Sequence, residues 1–170
     1  MQESVEQYKR RIMDYLGDQD PMRVQAATVG KMERLLKGVS SARLRKRPAP
    51  GKWSVREILA HLADDEMVVG YRMRSILGAP GMPLAAFDQD KWAESQNYAK
   101  RDPKMSLRLV RALREANLAL LRSLSAEQWK QFGIHSERGE ETIERIVAMM
   151  AGHDINHLRQ VETILAAKKK

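Results

Sequence analysis

The chain has 170 residues, a formal net charge of +8 at pH 7 and no cysteine. This length suits one domain with a sizeable core, so we expect residues 1–170 to form a single domain. The lack of cysteine excludes disulfides, thiolate metal ligands and a cysteine nucleophile. Because it fits a reducing compartment and no segment is apolar over eighteen residues, we expect a cytoplasmic protein with no membrane association.

The positive charge raises the question of nucleic acid binding. The densest basic runs are "RLRKRP" at residues 43–48 and the terminal "KKK" at 168–170. Only 5% of the residues are aromatic, and they do not alternate with a basic stripe, so no base-stacking platform is evident. The pattern favours a solvated basic surface over a nucleic-acid interface.

Amphipathic spacing predicts two helices at the start of the chain. A short helix from Val5 ends at Gly17. A second helix begins with Asp20 as its N-cap and Pro21 in its first turn, and it ends before Gly38. Residues 40–53 are predicted to be irregular.

A capping box opens the longest predicted helix, which Gly78 ends. Ser54 is the N-cap, and the side chain of Glu57 reaches back to it. The apolar face of this helix consists of Val55, Ile58, Leu59, Leu62, Val69, Met73 and Ile76.

The remaining chain predicts a long loop and two more long helices. The loop at residues 78–102 is too long for a purely structural connection, so we expect it to cover something. Asp102 and Pro103 then open a helix, a capping-box turn follows at 125–128, and the last helix starts near Glu141 and reaches the lysine tail. The predicted apolar face of the Pro103 helix is Leu109, Leu113, Ala116, Leu120 and Leu124. No segment alternates like a strand, so the predicted fold is all-α, a four-helix bundle with a short extra N-terminal helix.

Three histidines are candidate metal ligands. His153 and His157 lie one turn apart on the last helix and, with Gln160, occupy positions where the apolar stripe calls for hydrophobic residues. His61 lies on the shoulder of the apolar face of the long central helix. If these helices are neighbours, three neutral imidazoles converge and leave open positions for water or substrate. Three nitrogens without sulfur suit Zn²⁺, Ni²⁺ or Fe²⁺.

Other interpretations of these histidines stay open. A pair of ordinary core histidines explains His153 and His157 taken alone. Each buried imidazole without a partner costs on the order of 1 to 3 kcal/mol, so a shared cation is the simplest explanation for all three. "HDINH" is only superficially like the H-E-x-x-H zinc-protease helix, because Asp154 is shorter than Glu and the third ligand lies upstream.

Further polar residues are candidates for contacts around this site. Glu57 and Asp65 each lie one turn from His61, and either could hold its free ring nitrogen, although Glu57 also belongs to the capping box. Gln160 could hydrogen-bond a bound water. His135 stands in an irregular segment before the last helix, where its plain interpretation is an exposed loop residue.

Two spaced motifs carry a resemblance to a known family. "PGKWSVREILAHLADDE" contains W-S-x-x-E-x-L-x-H, and "GEETIERIVAMMAGHDINHLRQVETIL" contains H-D-x-x-H-x-x-Q, with "AFDQDKWAE" between them typical of one branch. The chain thereby resembles the DinB-like superfamily of DinB/YfiT-type metalloproteins over most of its length, with a core at about 22–166. The resemblance implies an often dimeric four-helix bundle with a metal held by His61, His153 and His157. A histidine is common in this branch near His135, which implies a role at the rim of the site.

The resemblance also implies a class of activity. Members include metal-dependent S-transferases that use low-molecular-weight thiols such as bacillithiol, a thiol-dependent isomerase and hydrolase-like proteins. The leading hypothesis is a metal-dependent thiol S-transferase or hydrolase that acts on a small molecule, with a divalent ion and a low-molecular-weight thiol as cosubstrate, in a homodimer. A non-catalytic, stress-associated protein that binds a metal or small ligand is the alternative, and a nucleic-acid-associated helical protein is the third hypothesis.

Overall fold

The structure is a computed structural model that describes residues 4–167. The lysine run at 168–170, named above as a basic cluster and as the end of the last helix, lies outside the described residues. The helices are α1 (Val5–Leu16), α2 (Pro21–Leu36), α3 (Ser41–Arg45), α4 (Val55–Gly78), α5 (Gln89–Ser95), α6 (Pro103–Arg122), α7 (Ala126–Trp129) and α8 (Ile143–Ala166). The strands are β1 (Pro83–Leu84), β2 (Phe132–His135) and β3 (Gly139–Thr142), and a 3-10 turn spans Tyr98–Lys100.

The long helices start where their caps predict. The Ser54 hydroxyl accepts a hydrogen bond from the Glu57 backbone N–H, and the Glu57 carboxylate accepts one from the Ser54 N–H, which completes the capping box of α4. Asp20 caps α2, because its carboxylate accepts hydrogen bonds from the backbone N–H groups of Met22 and Arg23. The last helix begins at Ile143, slightly later than predicted, because residues 139–142 form a strand instead.

Four long helices form the predicted bundle. In order around the bundle they are α2, α8, α4 and α6, so α4 packs against both α6 and α8. The extra helix α1 packs on α8 and buries Ile12 and Leu16. Gly152 allows this close approach, since a Cβ atom there would lie 2.1 Å from the carbonyl oxygen of Ile12. Helix α1 therefore lies against α8 at the residue that precedes His153.

The buried face of α4 is the predicted one, but the predicted face of α6 is wrong. Leu109 is 43% exposed, whereas the neighbouring Val110 is buried. The buried side of α6 consists of Ser106, Val110, Arg114, Asn117, Leu118 and Leu121. This face is shifted by one residue, about 100° around the helix. The reason is electrostatic: Arg114 points into the bundle to meet buried carboxylates, and a pattern based on leucines does not predict a buried arginine.

The segment between α4 and α6 is partly structured and covers α4. It contains β1, α5 and the 3-10 turn, where sequence spacing predicted only a loop. The Tyr98 side chain is fully buried, and its hydroxyl donates to the Asp64 carboxylate at 2.7 Å, while Arg101 donates to the other oxygen of Asp64. The Tyr98 ring contacts Trp53, which in turn contacts the ring of His61. The segment thus closes over the end of α4 that carries His61.

A small sheet was not predicted. Strand β1 pairs in parallel with β2, and β2 pairs antiparallel with β3. These strands have two to four residues, too few for an alternating pattern to be recognised. Through this sheet, the segment after α4 is hydrogen-bonded to the segment before α8.

The basic run at 43–48 makes contacts within the chain. Arg43 donates to the carbonyl oxygen of Leu165, and Arg47 forms an ion pair with Glu57. These two arginines hold the end of α8 and the start of α4. Across residues 4–167, no helix is both long enough and apolar enough to cross a bilayer.

Candidate metal centre

Two neighbouring helices bring three histidines together inside the bundle. His61 lies on α4, and His153 and His157 lie on α8. The Nε2 atom of His153 is 3.1 Å from Nε2 of His61 and 2.9 Å from Nε2 of His157. The side chains are buried, with 2%, 7% and 6% of their surface exposed in chain order. The structure therefore assembles the three residues that sequence spacing singled out.

The rings meet edge to face. The planes of the three imidazoles are inclined to one another by 61–79°, and their centroids are 4.3–5.1 Å apart. This arrangement points one nitrogen of each ring at a shared position. The three nitrogens all lie within 4.8 Å of one another, close enough to hold one metal ion.

Burial keeps the imidazoles of His61 and His157 neutral. Loss of hydration lowers the pKa of His61 to about 4, and the neighbouring His153 lowers it further than nearby Asp65 raises it. Burial also lowers the pKa of His157 well below its ordinary value, with His153 and His61 adding to the effect. Neutral imidazoles offer the lone pairs that a divalent cation requires.

The Nδ1 atoms of the three rings point away from the shared position, and they differ in their hydrogen-bond partners. Nδ1 of His157 is 2.9 Å from Oε1 of Gln160, so this Nδ1 carries the proton and Nε2 keeps its lone pair. Nδ1 of His153 faces Asp65 at 3.5 Å, too long for a strong hydrogen bond. Nδ1 of His61 is buried and has no hydrogen-bond partner among residues 4–167.

Two of the further candidate residues, Asp65 and Gln160, make contacts other than the predicted ones. Asp65 faces His153 instead of His61, and Gln160 contacts the His157 ring itself. Glu57 is engaged by Ser54 and Arg47 at the start of α4, so the capping box accounts for it.

The plain interpretation of His135 was wrong. It is 2% exposed, because its strand β2 pairs with β1 on one side and β3 on the other. Its Nε2 lies 3.4 Å from a guanidinium nitrogen of Arg72.

Sequence reasoning missed an ion cluster in the same bundle. Arg114 on α6 donates to Glu66 on α4 at 2.8 Å, to Asp154 on α8 at 2.6 Å, and to the carbonyl oxygen of Gln25 at 2.9 Å. Although burial disfavours its charge, the two carboxylates raise the pKa of Arg114 above its ordinary value. The sequence contains one signal for this cluster. Glu66 and Asp154 are acidic residues on the buried faces of two helices that were predicted to pack in the core.

Comparisons with known proteins agree with this architecture. Residues 26–161 match the family model described as the DinB superfamily. The "Putative metal-dependent hydrolase YfiT" of Bacillus subtilis is 30% identical over 112 residues, which are 65% of this chain and 63% of that protein. A relative from Oceanobacillus iheyensis with the same description is 28% identical over 68% of this chain and 66% of its own length. The matched segments thus span slightly less than two thirds of these two relatives.

Solved structures show the same fold. The structure of Bacillus subtilis YfiT, described as a four-helix bundle of unusual topology, superposes with a TM-score of 0.80 at 23% identity, over 95% of this chain and 87% of that one. A mycothiol-dependent maleylpyruvate isomerase superposes with a TM-score of 0.64 at 13% identity, over 91% of this chain and 63% of that one.

Proposed function

The chain belongs to the DinB superfamily, and from this premise we propose that it is a metal-dependent enzyme, a thiol S-transferase or a hydrolase, that acts on a small molecule. In this proposal the Nε2 atoms of His61, His153 and His157 hold one divalent ion. The observation that carries the proposal is the convergence of three buried imidazole nitrogens from two helices.

The donor set fits a divalent ion such as Zn²⁺, Ni²⁺ or Fe²⁺. Zinc bound tetrahedrally at 2.0–2.1 Å places two nitrogen ligands about 3.3 Å apart. The observed separations of 2.9 and 3.1 Å differ from that value by a few tenths of an ångström. Three protein ligands without a fourth are typical of catalytic sites, which keep a position for water or substrate.

The protein residues position the ligands, and the ion supplies the chemistry. A bound divalent cation lowers the pKa of a coordinated thiol or water, which makes a nucleophile near neutral pH. Gln160 fixes the ring of His157 with Nε2 directed at the site. Because the chain has no cysteine, a thiol nucleophile must arrive with a cosubstrate.

The relatives support both activity classes in this proposal. The hydrolase description of the sequence relatives corresponds to activated water. The mycothiol dependence of the isomerase with the same fold corresponds to an activated small thiol. The alternative, a non-catalytic binding protein, uses the same histidines for metal binding alone.

Metal analysis followed by assays tests the proposal. The protein is purified without a nickel column, reconstituted at pH 7.5 and analysed for metals, and we expect about one ion per chain. The loaded protein is then assayed with several low-molecular-weight thiols against electrophiles, and with hydrolysable esters and amides. Substoichiometric metal contradicts the metal site, whereas full loading without turnover in either panel favours the binding protein.

A homodimer is the finer part of the proposal. The apolar side of α1 is covered by α8, so the dimer requires another face. Met67 and Tyr71 on α4 and Met105 and Leu109 on α6 are large apolar residues that are 43–68% exposed. Sedimentation velocity at micromolar concentration should show a dimer, and a monomer would contradict this part.

A further inference from the structure

A buried arginine near the sheet forms no ion pair with any carboxylate of the described residues. Arg72 on α4 is 7% exposed, and it donates a hydrogen bond to the carbonyl oxygen of Ala85. No carboxylate within residues 4–167 forms an ion pair with it. Glu141, an acidic residue of the sheet, accepts two hydrogen bonds from Arg138, of 2.6 and 2.8 Å. The guanidinium of Arg72 lies 5.9 Å from the centre of the Phe87 ring, and Asp65 and Glu141 act on it only from beyond ion-pair distance. Its buried charge is therefore only partly compensated, which favours a further anion beside it.

The histidine beside Arg72 is a second donor. The backbone N–H of Glu137 donates to Nδ1 of His135 at 3.1 Å. A backbone N–H cannot accept, so Nδ1 carries the lone pair and the proton of the neutral ring is on Nε2. Burial, together with the charges of Arg138 and Arg72, lowers the pKa of His135, which keeps the ring neutral.

Two hydrogen-bond donors therefore face each other. Nε2–H of His135 is 3.4 Å from Nη2 of Arg72, and neither group can accept from the other. An oxygen atom to one side of the pair, about 2.9 Å from each nitrogen, would accept from both. Charge-assisted hydrogen bonds of a guanidinium to a carboxylate or phosphate are among the strongest in proteins.

We propose that Arg72 and the Nε2–H of His135 form a binding site for an oxyanion, the carboxylate or phosphate group of a small molecule. The site lies on the face of α4 that carries His61, but eleven residues further, which is about 16 Å along the helix axis. It is separate from the three histidines of the candidate metal centre, and it stands whether or not a metal binds there.

Calorimetric titration of the full chain with inorganic phosphate and with succinate tests this site. The titrations are done after chelation and again after zinc loading, so binding to a metal is distinguished from binding at Arg72. We expect saturable binding of at least one probe at one site per chain in both forms, and phosphate against succinate tells which oxyanion is preferred. Arg72→Gln should weaken binding at least tenfold, on the scale of one charge-assisted hydrogen bond.

Matched variants distinguish binding by Arg72 and His135 from a general effect of positive charge. Arg108→Gln removes an exposed positive charge on α6 and should leave the affinity unchanged. His135→Gln can place an N–H near the Nε2 position and should retain more affinity than His135→Asn, whose shorter amide reaches the Nδ1 position but not the Nε2 position. Absence of binding in the unaltered chain, binding only in the zinc-loaded form, or equal losses in Arg72→Gln and Arg108→Gln would overturn the proposal.

A measurement on the unaltered chain guards against variants that fail to fold. The ¹⁵N resonances of the His135 imidazole should show the tautomer protonated at Nε2, and phosphate or succinate should shift the Nε2 resonance more than Nδ1. A ring protonated at Nδ1, or resonances that neither probe moves, would refute the site.

Discussion

Two polar clusters lie side by side in the same bundle, and they differ in how complete they are. Arg114 meets two carboxylates and a backbone carbonyl, so the protein itself satisfies this cluster. The three histidines meet mainly one another, and the outer nitrogen of His61 has no partner within residues 4–167. On α8 the two clusters are adjacent in sequence, at Asp154 and His153.

In our proposal this difference separates a structural cluster from a ligand-binding cluster. A closed buried ion cluster holds α4, α6 and α8 together and does not require anything further. A buried cluster of imidazoles with incomplete hydrogen bonding carries unfavourable desolvation, which the proposed cation would relieve. Loss of the first cluster should therefore strongly destabilise the fold, and loss of the second should release the ion and leave the stability of the bundle largely intact.

The largest expected effect is on the structural cluster. Arg114→Met leaves Glu66 and Asp154 buried without a cation, which should lower the free energy of unfolding by about 3–5 kcal/mol. Urea denaturation followed by circular dichroism measures it. Arg111→Met on the same helix is the control, because its partner Glu33 is half exposed and such pairs contribute about 0–1 kcal/mol. Similar losses in both variants would remove the distinction between the clusters.

The second prediction concerns pH and the metal-free protein. His61 has a pKa of about 4 in the folded chain and about 6.5 when unfolded. Between these values the unfolded chain binds more protons, so acidification lowers the stability, by on the order of 3 kcal/mol for a single site of this kind. Above pH 6.5 this effect is absent, and below pH 4 it is complete. Urea midpoints from pH 7.5 to 4 should fall less in His61→Asn than in the parent chain, and parallel curves would contradict the buried, neutral state of His61.

The third prediction concerns the metal ligands. His61→Ala should weaken metal affinity about 10- to 100-fold or more, comparable to His157→Ala, and leave the helical circular dichroism signal largely intact. The variant with both substitutions should lose much less metal affinity than the sum of the two single losses, because both residues bind one ion. Thr28→Ala is the control, since Thr28 is a buried polar residue that hydrogen-bonds only within α2. Additive losses, or an unchanged affinity in His61→Ala, would argue for separate sites.

The smallest expected effect comes from the outer contact of His157. Gln160→Ala removes the acceptor that orients the ring and should weaken metal affinity about tenfold, the lower end of the range for such contacts. Glu162→Ala, an exposed neighbour on α8, should leave the affinity within twofold. If the two variants behave alike, the hydrogen bond of 2.9 Å between Gln160 and His157 does not tune the site.

The two clusters also show what the sequence predicts and what it does not. Helical periodicity and caps predict the long helices, and the polar positions 153 and 157 on an apolar stripe indicate the histidine pair. His61 and His153 are 92 residues apart in the chain, so they meet only if α4 and α8 are neighbours. Helical spacing within one segment does not predict which helices are neighbours. The buried Arg114 and the short strands were missed, because the first depends on partners from three helices and the second on pairing between distant segments.

X-ray absorption at the zinc edge tests the central claim most directly, because it counts the imidazoles around the ion. The chain is loaded with one equivalent of zinc at pH 7.5 and compared with His61→Ala prepared in the same manner. The account predicts three imidazole ligands at about 2.0–2.1 Å in the parent chain and two in the variant. Two imidazoles in both proteins would show that the ion is held by α8 with other partners, and the site shared between α4 and α8 would have to be abandoned.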